Sequence, residues 1–178
     1  MTETQDLELK TKRLLLRPYK MDDAAALQSQ CGNLNVARMT SRIPHPYPDG
    51  AAEQWIAAQE ALRRDGHEIT FCIDHDGAMV GSVGLRRAHG GTYELGYWIA
   101  ENTWGQGYAT EAARRAVAFA FDELGAARVC AGHYVDNPAS GRVLEKCGFR
   151  YTSTNSQLSV ARGATVECRR FVIEARTA

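Results

Sequence analysis

The sequence predicts a single domain of mixed α/β class. Segments with strand character alternate with segments of helical periodicity, and the first half favours antiparallel strands over repeated βαβ units. A length of 178 residues is enough for one domain with a sizeable core. The hydrophobic fraction of 44% and the charged fraction of 24% are ordinary for a globular protein. We expect a twisted mixed sheet of about seven strands flanked by about four helices.

The individual elements follow from periodicity and from end signals. Strand character is found in seven segments, namely 12–17, 69–73, 78–86, 92–100, 128–135, 149–155 and 165–174. Helical spacing is found in four segments, namely 22–31, with Asp22 or Asp23 as its cap, 51–64, 110–124 and 138–147. His75-Asp76-Gly77 predicts a hairpin turn between the second and third strands. Three prolines, at 44, 46 and 48, exclude a regular helix or central strand within 33–50.

The most informative segment is the turn Trp104-Gly105-Gln106-Gly107-Tyr108-Ala109-Thr110, between a predicted strand and a predicted helix. Glycines at 105 and 107 let backbone N–H groups approach a ligand without interference from a Cβ atom. The following helix adds unpaired N–H groups and the positive end of its dipole. We therefore predict a phosphate or pyrophosphate site here.

Other phosphate-binding motifs fit this turn less well. A dinucleotide fingerprint requires a third glycine where Thr110 stands. The chain has no P-loop sequence G-x-x-x-x-G-K followed by Ser or Thr. By itself, a Gly-x-Gly turn is also compatible with a simple tight connection between a strand and a helix.

A second segment, Asn137-Pro138-Ala139-Ser140-Gly141-Arg142-Val143-Leu144-Glu145-Lys146-Cys147-Gly148-Phe149, predicts a short helix with clear ends. Asn137 is a favourable cap, Pro138 a favourable first helical residue, and Gly148 a stop signal. Val143, Leu144 and Cys147 have the spacing of core contacts.

These two segments resemble the GNAT superfamily of N-acyltransferases, in which the turn binds the pyrophosphate of acyl-CoA. The runs 9–18 and 93–99 are similar to the RimJ/RimL-like branch, which acetylates the N-termini of ribosomal proteins. The resemblance covers about residues 9–174 of one 1–178 domain, whose ends we expect to be flexible. It implies a sheet that splays open in its middle, and Trp104 stands where the superfamily usually has Gln or Arg.

The resemblance also implies how acetyl-CoA, the cosubstrate, would bind. Its pantetheine arm would pair with the backbone of Trp98, Ile99 and Ala100, as an added strand pairs with a sheet edge. The pyrophosphate would bind the 104–110 turn, chiefly the N–H groups from Gln106 to Thr110. Asn137 would contact the pantetheine amides, a role that competes with capping its helix.

Acetyl transfer needs a route for the amine proton and a donor for the leaving thiolate. Glu94 is the first candidate base because strand alternation places it on the face opposite Leu95; the alternative is a solvent-facing strand residue. His133 is the second candidate and His45 a weaker third. By resemblance, Ser140 is the candidate that donates a hydrogen bond or proton to the leaving sulfur, and Tyr134 is the alternative donor. It also stays open that Ser140 only completes the first turn of its helix.

Composition narrows the remaining function classes. The formal net charge is zero, so there is no electrostatic case for nucleic acid or a membrane surface as partner. The five cysteines have no metal-ligand spacing, and we expect reduced thiols, no metal and a cytoplasmic monomer or homodimer.

The leading hypothesis is an acetyl-CoA-dependent N-acetyltransferase that works by direct transfer in a ternary complex. The acceptor is a primary amine, either a protein N-terminal α-amine or a small molecule. Two alternatives stay open at this point, a GNAT-fold regulator that binds acyl-CoA without turnover and a nucleotide-binding protein.

Overall fold

A computed structural model describes residues 7–175 of the chain. The chain ends, for which the sequence predicts flexibility, lie largely outside this range. Within it, the strands are β1 Leu9–Lys10, β2 Leu15–Arg17, β3 Glu68–His75, β4 Ala78–Arg87, β5 Thr92–Ile99, β6 Arg128–Tyr134, β7 Arg150–Ser159 and β8 Ala164–Glu174. The α-helices are α1 Ala24–Gly32, α2 Leu34–Ala37, α3 Ala51–Arg64, α4 Tyr108–Asp122 and α5 Pro138–Lys146.

The predicted fold class is confirmed. One sheet contains the eight strands in the order β1-β2-β3-β4-β5-β6-β8-β7. Every neighbouring pair is antiparallel except β5 and β6, which run parallel. The two elements beyond the expected count are short: β1 has two residues and α2 has four.

Several boundaries differ from the predicted ones. The predicted strand 12–17 is interrupted because the Thr11 N–H donates to the Leu14 carbonyl and the Leu14 N–H donates to the Thr11 hydroxyl. This turn directs Arg13 away from the sheet toward α4. Helix α4 begins two residues earlier than predicted, so that Gly107 becomes its N-cap. The connection between the predicted strands 149–155 and 165–174 is shorter than expected, since β7 continues to Ser159 and β8 begins at Ala164.

Asp22 and Asp23 do not cap α1 with their side chains. Asp23 accepts from the Lys20 N–H at 2.8 Å and from both terminal nitrogens of Arg17, at 2.8 and 2.9 Å. Arg17 also donates to Asp74 on β3, at 2.9 Å. The buried Arg17 guanidinium therefore joins β2, β3 and the start of α1, and its charge is paired with the carboxylates of Asp23 and Asp74.

Two apolar clusters cover the two faces of the sheet. The larger cluster packs α4 and α5 against the face that carries Phe71, Val83 and Leu95. The smaller cluster packs α1 and α3 against the opposite face, where it includes Trp98. Alternation along β5 therefore sends odd-numbered side chains toward α4 and even-numbered side chains toward α1 and α3.

The sheet opens between β5 and β6. The two strands pair only from Thr92 to Glu94, opposite Arg128 to Cys130. Beyond that point β5 stays paired with β4 as far as Ile99, while β6 stays paired with β8 as far as Tyr134. The result is a gap with its apex at Glu94 and Cys130, as the resemblance implies.

Candidate active site

The Gly-rich turn forms a backbone cradle at the start of α4. Gly105 and Gly107 have φ values of +77° and +81°, which residues other than glycine rarely adopt. No side chain caps α4 in the described chain, and the first amide to bond within the helix is that of Glu111, which donates to the Gly107 carbonyl at 3.1 Å. The preceding amides at 108–110 therefore remain available to an anion.

Arg13, which lies far from this turn in the sequence, holds the turn in place. Its Nη1 donates to the Gln106 carbonyl at 2.9 Å, and its Nε donates to the Glu111 carboxylate at 2.7 Å. Glu111 also accepts from the Arg13 N–H at 2.8 Å and from the Thr11 hydroxyl at 2.7 Å. Sequence reasoning missed Arg13 and Glu111, because nothing local in either segment indicates that they meet.

Trp104 does not direct its polar atom to the anion site. The indole Nε1 donates to the Ile99 carbonyl at 2.7 Å, although 48% of the residue surface stays exposed. The indole thus joins the turn to the end of β5. On the other side of the turn, a surface groove is lined by Gly107, Thr110, Arg114, Arg115 and Lys146, among others. With Arg13, four cationic side chains line this groove, together with the Glu111 carboxylate that Arg13 bonds.

The register of β5 decides which backbone groups point into the gap. At its two ends, the Ala88 N–H donates to the Thr92 carbonyl and the Ala100 N–H donates to the Val80 carbonyl, both at 2.8 Å. The even-numbered residues, including Trp98, thus direct their backbone polar groups toward β4. Because this direction alternates along a strand, Tyr97 and Ile99 direct theirs toward the gap. Of the three predicted pantetheine positions, only Ile99 has this orientation.

Ser140 lies in the first turn of α5, where two neighbours hold it. Asn137 caps the helix by accepting from the Ser140 N–H at 3.3 Å. The Ser140 hydroxyl is 2.8 Å from the Tyr97 hydroxyl, which is also 3.1 Å from the Ser140 carbonyl oxygen. Strand alternation places Tyr97 on the same face as Leu95, but it gives no signal of this contact.

The candidate base Glu94 is held by two arginines. Arg86 bonds one carboxylate oxygen, and Arg170 bonds the other at 2.9 Å. Burial raises the pKa of Glu94, but the hydrogen bonds from Arg86 and Arg170 outweigh it, so the pKa is lowered. Glu94 does lie on the face opposite the core residue Leu95, as predicted. Each of its carboxylate oxygens, however, already accepts a hydrogen bond from an arginine.

The remaining candidates have other surroundings. His133 is buried beneath α5, with Nδ1 2.8 Å from the Tyr134 carbonyl oxygen and its ring close to Gly141. The Tyr134 hydroxyl lies 3.2 Å from the Leu158 carbonyl oxygen and 3.4 Å from that of Thr40. Neither side chain bonds Ser140 or Glu94 in the described chain. His45 is exposed in the proline-rich segment.

Two irregular segments meet on the α1 side of the gap. The Val160 N–H donates to the Ser41 carbonyl at 3.1 Å, and Arg162 Nε donates to the Arg38 carbonyl at 2.7 Å. Arg162 also bonds both carboxylate oxygens of Asp136, at 2.8 and 3.1 Å. We call residues 38–41 and 158–162, joined in this way, the bridge.

No group of three or more His, Cys, Asp or Glu side chains within residues 7–175 has a metal-binding arrangement. All five cysteines are free thiols. No helix in the same range combines the length and the apolar character that a bilayer crossing requires.

Comparison with known proteins decides the family. Residues 13–150, more than two thirds of the chain, match the family described as "Acetyltransferase (GNAT) domain". The chain belongs to the GNAT acetyltransferase family. This membership and its relatives make the protein an N-acetyltransferase by class.

Among these relatives, the uncharacterized N-acetyltransferase YoaA of Bacillus subtilis is 30% identical over 151 residues, covering 80% of this chain and 82% of YoaA. The solved structure of Mycobacterium smegmatis RimJ in complex with CoA-disulfide is 25% identical, with a TM-score of 0.80. The match covers 91% of this chain and 82% of the RimJ chain. A ribosomal-protein-S5-alanine acetyltransferase from Vibrio fischeri shares the fold, with a TM-score of 0.82 at 16% identity. The match covers 95% of this chain and 97% of that chain.

The geometry of the turn predicts that Gly107→Val weakens acetyl-CoA binding at least tenfold. Valine strains a backbone held at a φ of +81°, at a cost of about 1–2 kcal/mol, and places a branched side chain beside the free amides. Isothermal titration with acetyl-CoA measures the change. Gly125→Val is the matched control, because Gly125 has a φ of +63° and open space around its Cβ position, beyond the opposite end of α4. Equal affinity of the two folded variants would contradict the assignment.

Proposed function

We propose that this protein transfers the acetyl group of acetyl-CoA directly to a primary amine within a ternary complex. One observation carries the proposal: the gap between β5 and β6 has an anion cradle beside one strand and a hydroxyl, that of Ser140, beside the other. A long thioester can therefore bind the cradle with its phosphates and present its reactive end inside the gap. Family membership supports the same reaction.

The binding arrangement follows from the free backbone groups. The pyrophosphate binds the amides from Gln106 to Thr110, and the groove with Arg114, Arg115 and Lys146 adds positive charge. The pantetheine amides pair with the gap-facing backbone of Tyr97 and Ile99. Because Trp104 already donates to the Ile99 carbonyl, the free groups there are the Ile99 N–H and the backbone polar groups of Tyr97. The RimJ relative solved with CoA-disulfide supports this class of ligand.

Ser140 serves the leaving group in this arrangement. When the amine attacks the thioester carbonyl, the C–S bond breaks and its electron pair goes to sulfur. A hydroxyl hydrogen bond is worth more once that charge develops, so the contact accelerates the chemical step. Ser140 fits this role better than Tyr134, whose hydroxyl lies between the carbonyl oxygens of Leu158 and Thr40.

The amine proton leaves before the attack. Glu94 is the first predicted base, but two arginines hold its carboxylate and its pKa is lowered, which makes it a weak proton acceptor. An α-amine, with a pKa of about 7.7–8.0, is partly neutral at physiological pH, whereas a lysine side chain at about 10.4 is not. The surroundings of Glu94 therefore favour an α-amine, or another amine of low pKa, as the acceptor.

The bridge supports a selective acceptor site. It combines part of the 33–50 segment with the tip of the β7–β8 hairpin, two connections between regular elements. An acceptor that approaches from the α1 side meets these residues first. Protein N-termini and small amines both fit this description.

A regulator that binds acyl-CoA without turnover is the second candidate. The same cradle would serve it, but it would have no use for a hydroxyl held in the gap. The Ser140 contact with Tyr97 therefore favours catalysis.

The first test measures both binding and turnover. In a thermal-shift screen, we expect acetyl-CoA and CoA to stabilise the protein and ATP and NAD to leave it unchanged. We then expect release of free CoA thiol with at least one acceptor from a panel of N-terminal peptides and small amines. Stabilisation by acetyl-CoA without thiol release from any acceptor would support the regulator instead.

The second test is a pH profile of kcat/KM for two amines of different basicity. The carboxylate of Glu94 is ionised above its lowered pKa, so its titration lies on the acid side of the profile. We expect kcat/KM to rise with pH along a limb that follows the pKa of each amine. We expect this limb to persist in Glu94→Gln, with kcat within about threefold of wild type. A limb that stays fixed for both amines, together with a loss of about 10²-fold in Glu94→Gln, would restore Glu94 as the base.

The third test concerns the bridge. Arg162→Ala removes charge-assisted hydrogen bonds to Asp136 and a hydrogen bond to the Arg38 carbonyl, so we expect KM for the acceptor to rise about fivefold. Acetyl-CoA affinity should not change, because the cradle lies on the other side of the gap. Arg150→Ala is the control, since it breaks an exposed ion pair with Glu174 at the base of the same hairpin. A larger effect on acetyl-CoA than on the acceptor would contradict the assigned role.

A further inference from the structure

We propose that Tyr97 is a positioning residue that holds the Ser140 hydroxyl ready to donate its proton to the leaving sulfur. The proposal rests on the role of Ser140 in the proposed function and adds a residue to it. It depends on one contact, the 2.8 Å separation between the two hydroxyl oxygens.

Tyr97 lies where its contact with Ser140 spans the gap. Tyr97 lies three residues past Glu94, the last residue of β5 that pairs with β6. Its side chain points to the same face as Leu95 and packs against the larger apolar cluster. From there the phenol reaches the first turn of α5, which follows β6. The contact therefore links the β5 side of the gap to the β6 side at a level where the two strands have separated.

These two hydroxyls have two possible hydrogen-bond arrangements, which differ in the acceptor of the phenol proton. The phenol has one proton and two acceptors within reach, the Ser140 hydroxyl at 2.8 Å and the Ser140 carbonyl at 3.1 Å. If the phenol donates to the carbonyl, its oxygen accepts the serine proton, and that proton is unavailable. If the phenol donates to the serine oxygen, the serine proton is free to point at sulfur. Rotation of the two hydroxyl hydrogens interconverts these arrangements without moving heavy atoms.

The phenol keeps its proton throughout. Burial raises the pKa of Tyr97, which favours a neutral donor at every pH at which the enzyme works. A neutral phenol that donates to the serine oxygen makes the serine hydroxyl a better donor in turn, because hydrogen bonds in a chain polarise one another. Tyr97 thus acts on sulfur only through Ser140.

The proton balance of the step is complete without a further reactant. The C–S bond breaks and sulfur receives its electron pair, and an S–H bond forms as the Ser140 O–H bond breaks. The acceptor nitrogen, which must lose a proton to become an amide, returns one to the serine oxygen directly or through water. Tyr97 donates a hydrogen bond to the serine oxygen during this exchange and ends the cycle as a phenol.

The helix cap fixes the other half of Ser140. Its backbone N–H donates to the Asn137 side chain at 3.3 Å, and Pro138 starts the helix with a fixed φ. With its backbone held by Asn137 and its hydroxyl by Tyr97, the serine side chain has little rotational freedom left. Such restriction is what a proton donor needs to act at the moment when charge develops.

The experiment is a double-mutant cycle with Tyr97→Phe, Ser140→Ala and the combined variant. Phenylalanine keeps the ring in the core and removes only the hydroxyl. We expect Tyr97→Phe to lower kcat about tenfold, the value of one ordinary hydrogen bond, with KM for acetyl-CoA changed less than twofold. We expect Ser140→Ala to lower kcat further and the combined variant to equal Ser140→Ala. Tyr151→Phe, which removes an exposed hydroxyl bonded to Thr154, is the control.

The cycle separates the failure of this inference from the failure of the proposed function. Wild-type kcat in Tyr97→Phe, or an equal loss from Tyr97→Phe in the presence and absence of the Ser140 hydroxyl, overturns the inference while leaving the role of Ser140 intact. Wild-type kcat in Ser140→Ala removes the role of that serine and the inference with it. Retained acetyl-CoA affinity, measured by titration, establishes that each variant is folded.

Discussion

The fold of this protein depends on a hydrogen-bonded ladder that stops early. β5 and β6 pair over three residues and then separate, although each remains fully paired on its other side. A sheet interrupted in this way exposes backbone donors and acceptors that a continuous sheet would satisfy internally. Three features surround this interruption: the anion cradle, the gap-facing backbone of β5 and the Ser140 hydroxyl on α5. They can act on one ligand because they border the same gap.

Polar side chains connect the two half-sheets across the gap on both faces of the sheet. On the α5 side, Tyr97 links β5 to Ser140. On the opposite face, Glu94 accepts from Arg86 on β4 and from Arg170 on β8, so that the ion pairs cross the apex. The opening is therefore bordered by polar contacts on both faces.

Local signals explain what could be predicted from the sequence. The glycines at 105 and 107 and the Asn137-Pro138 cap act within a few residues of themselves, so the turn and α5 were predictable. Contacts between distant segments were not, because strand alternation assigns a face but no partner. Arg13 with Glu111, Tyr97 with Ser140 and Trp104 with the Ile99 carbonyl all belong to this second kind. The ion pairs of Glu94 are another example: its face was predictable, its two arginines were not.

The bridge has an evolutionary consequence. Its contacts join residues 38–41 to the tip of the β7–β8 hairpin, and both segments lie outside the turn, α4 and the paired part of β5. Under the proposed function, substitutions or insertions there change the shape of the acceptor entrance while the donor side keeps its geometry. The two halves of the site are thus free to diverge at different rates. A lineage with this architecture can acquire new acceptors by changing two surface segments, with the chemistry of the thioester retained from its ancestor.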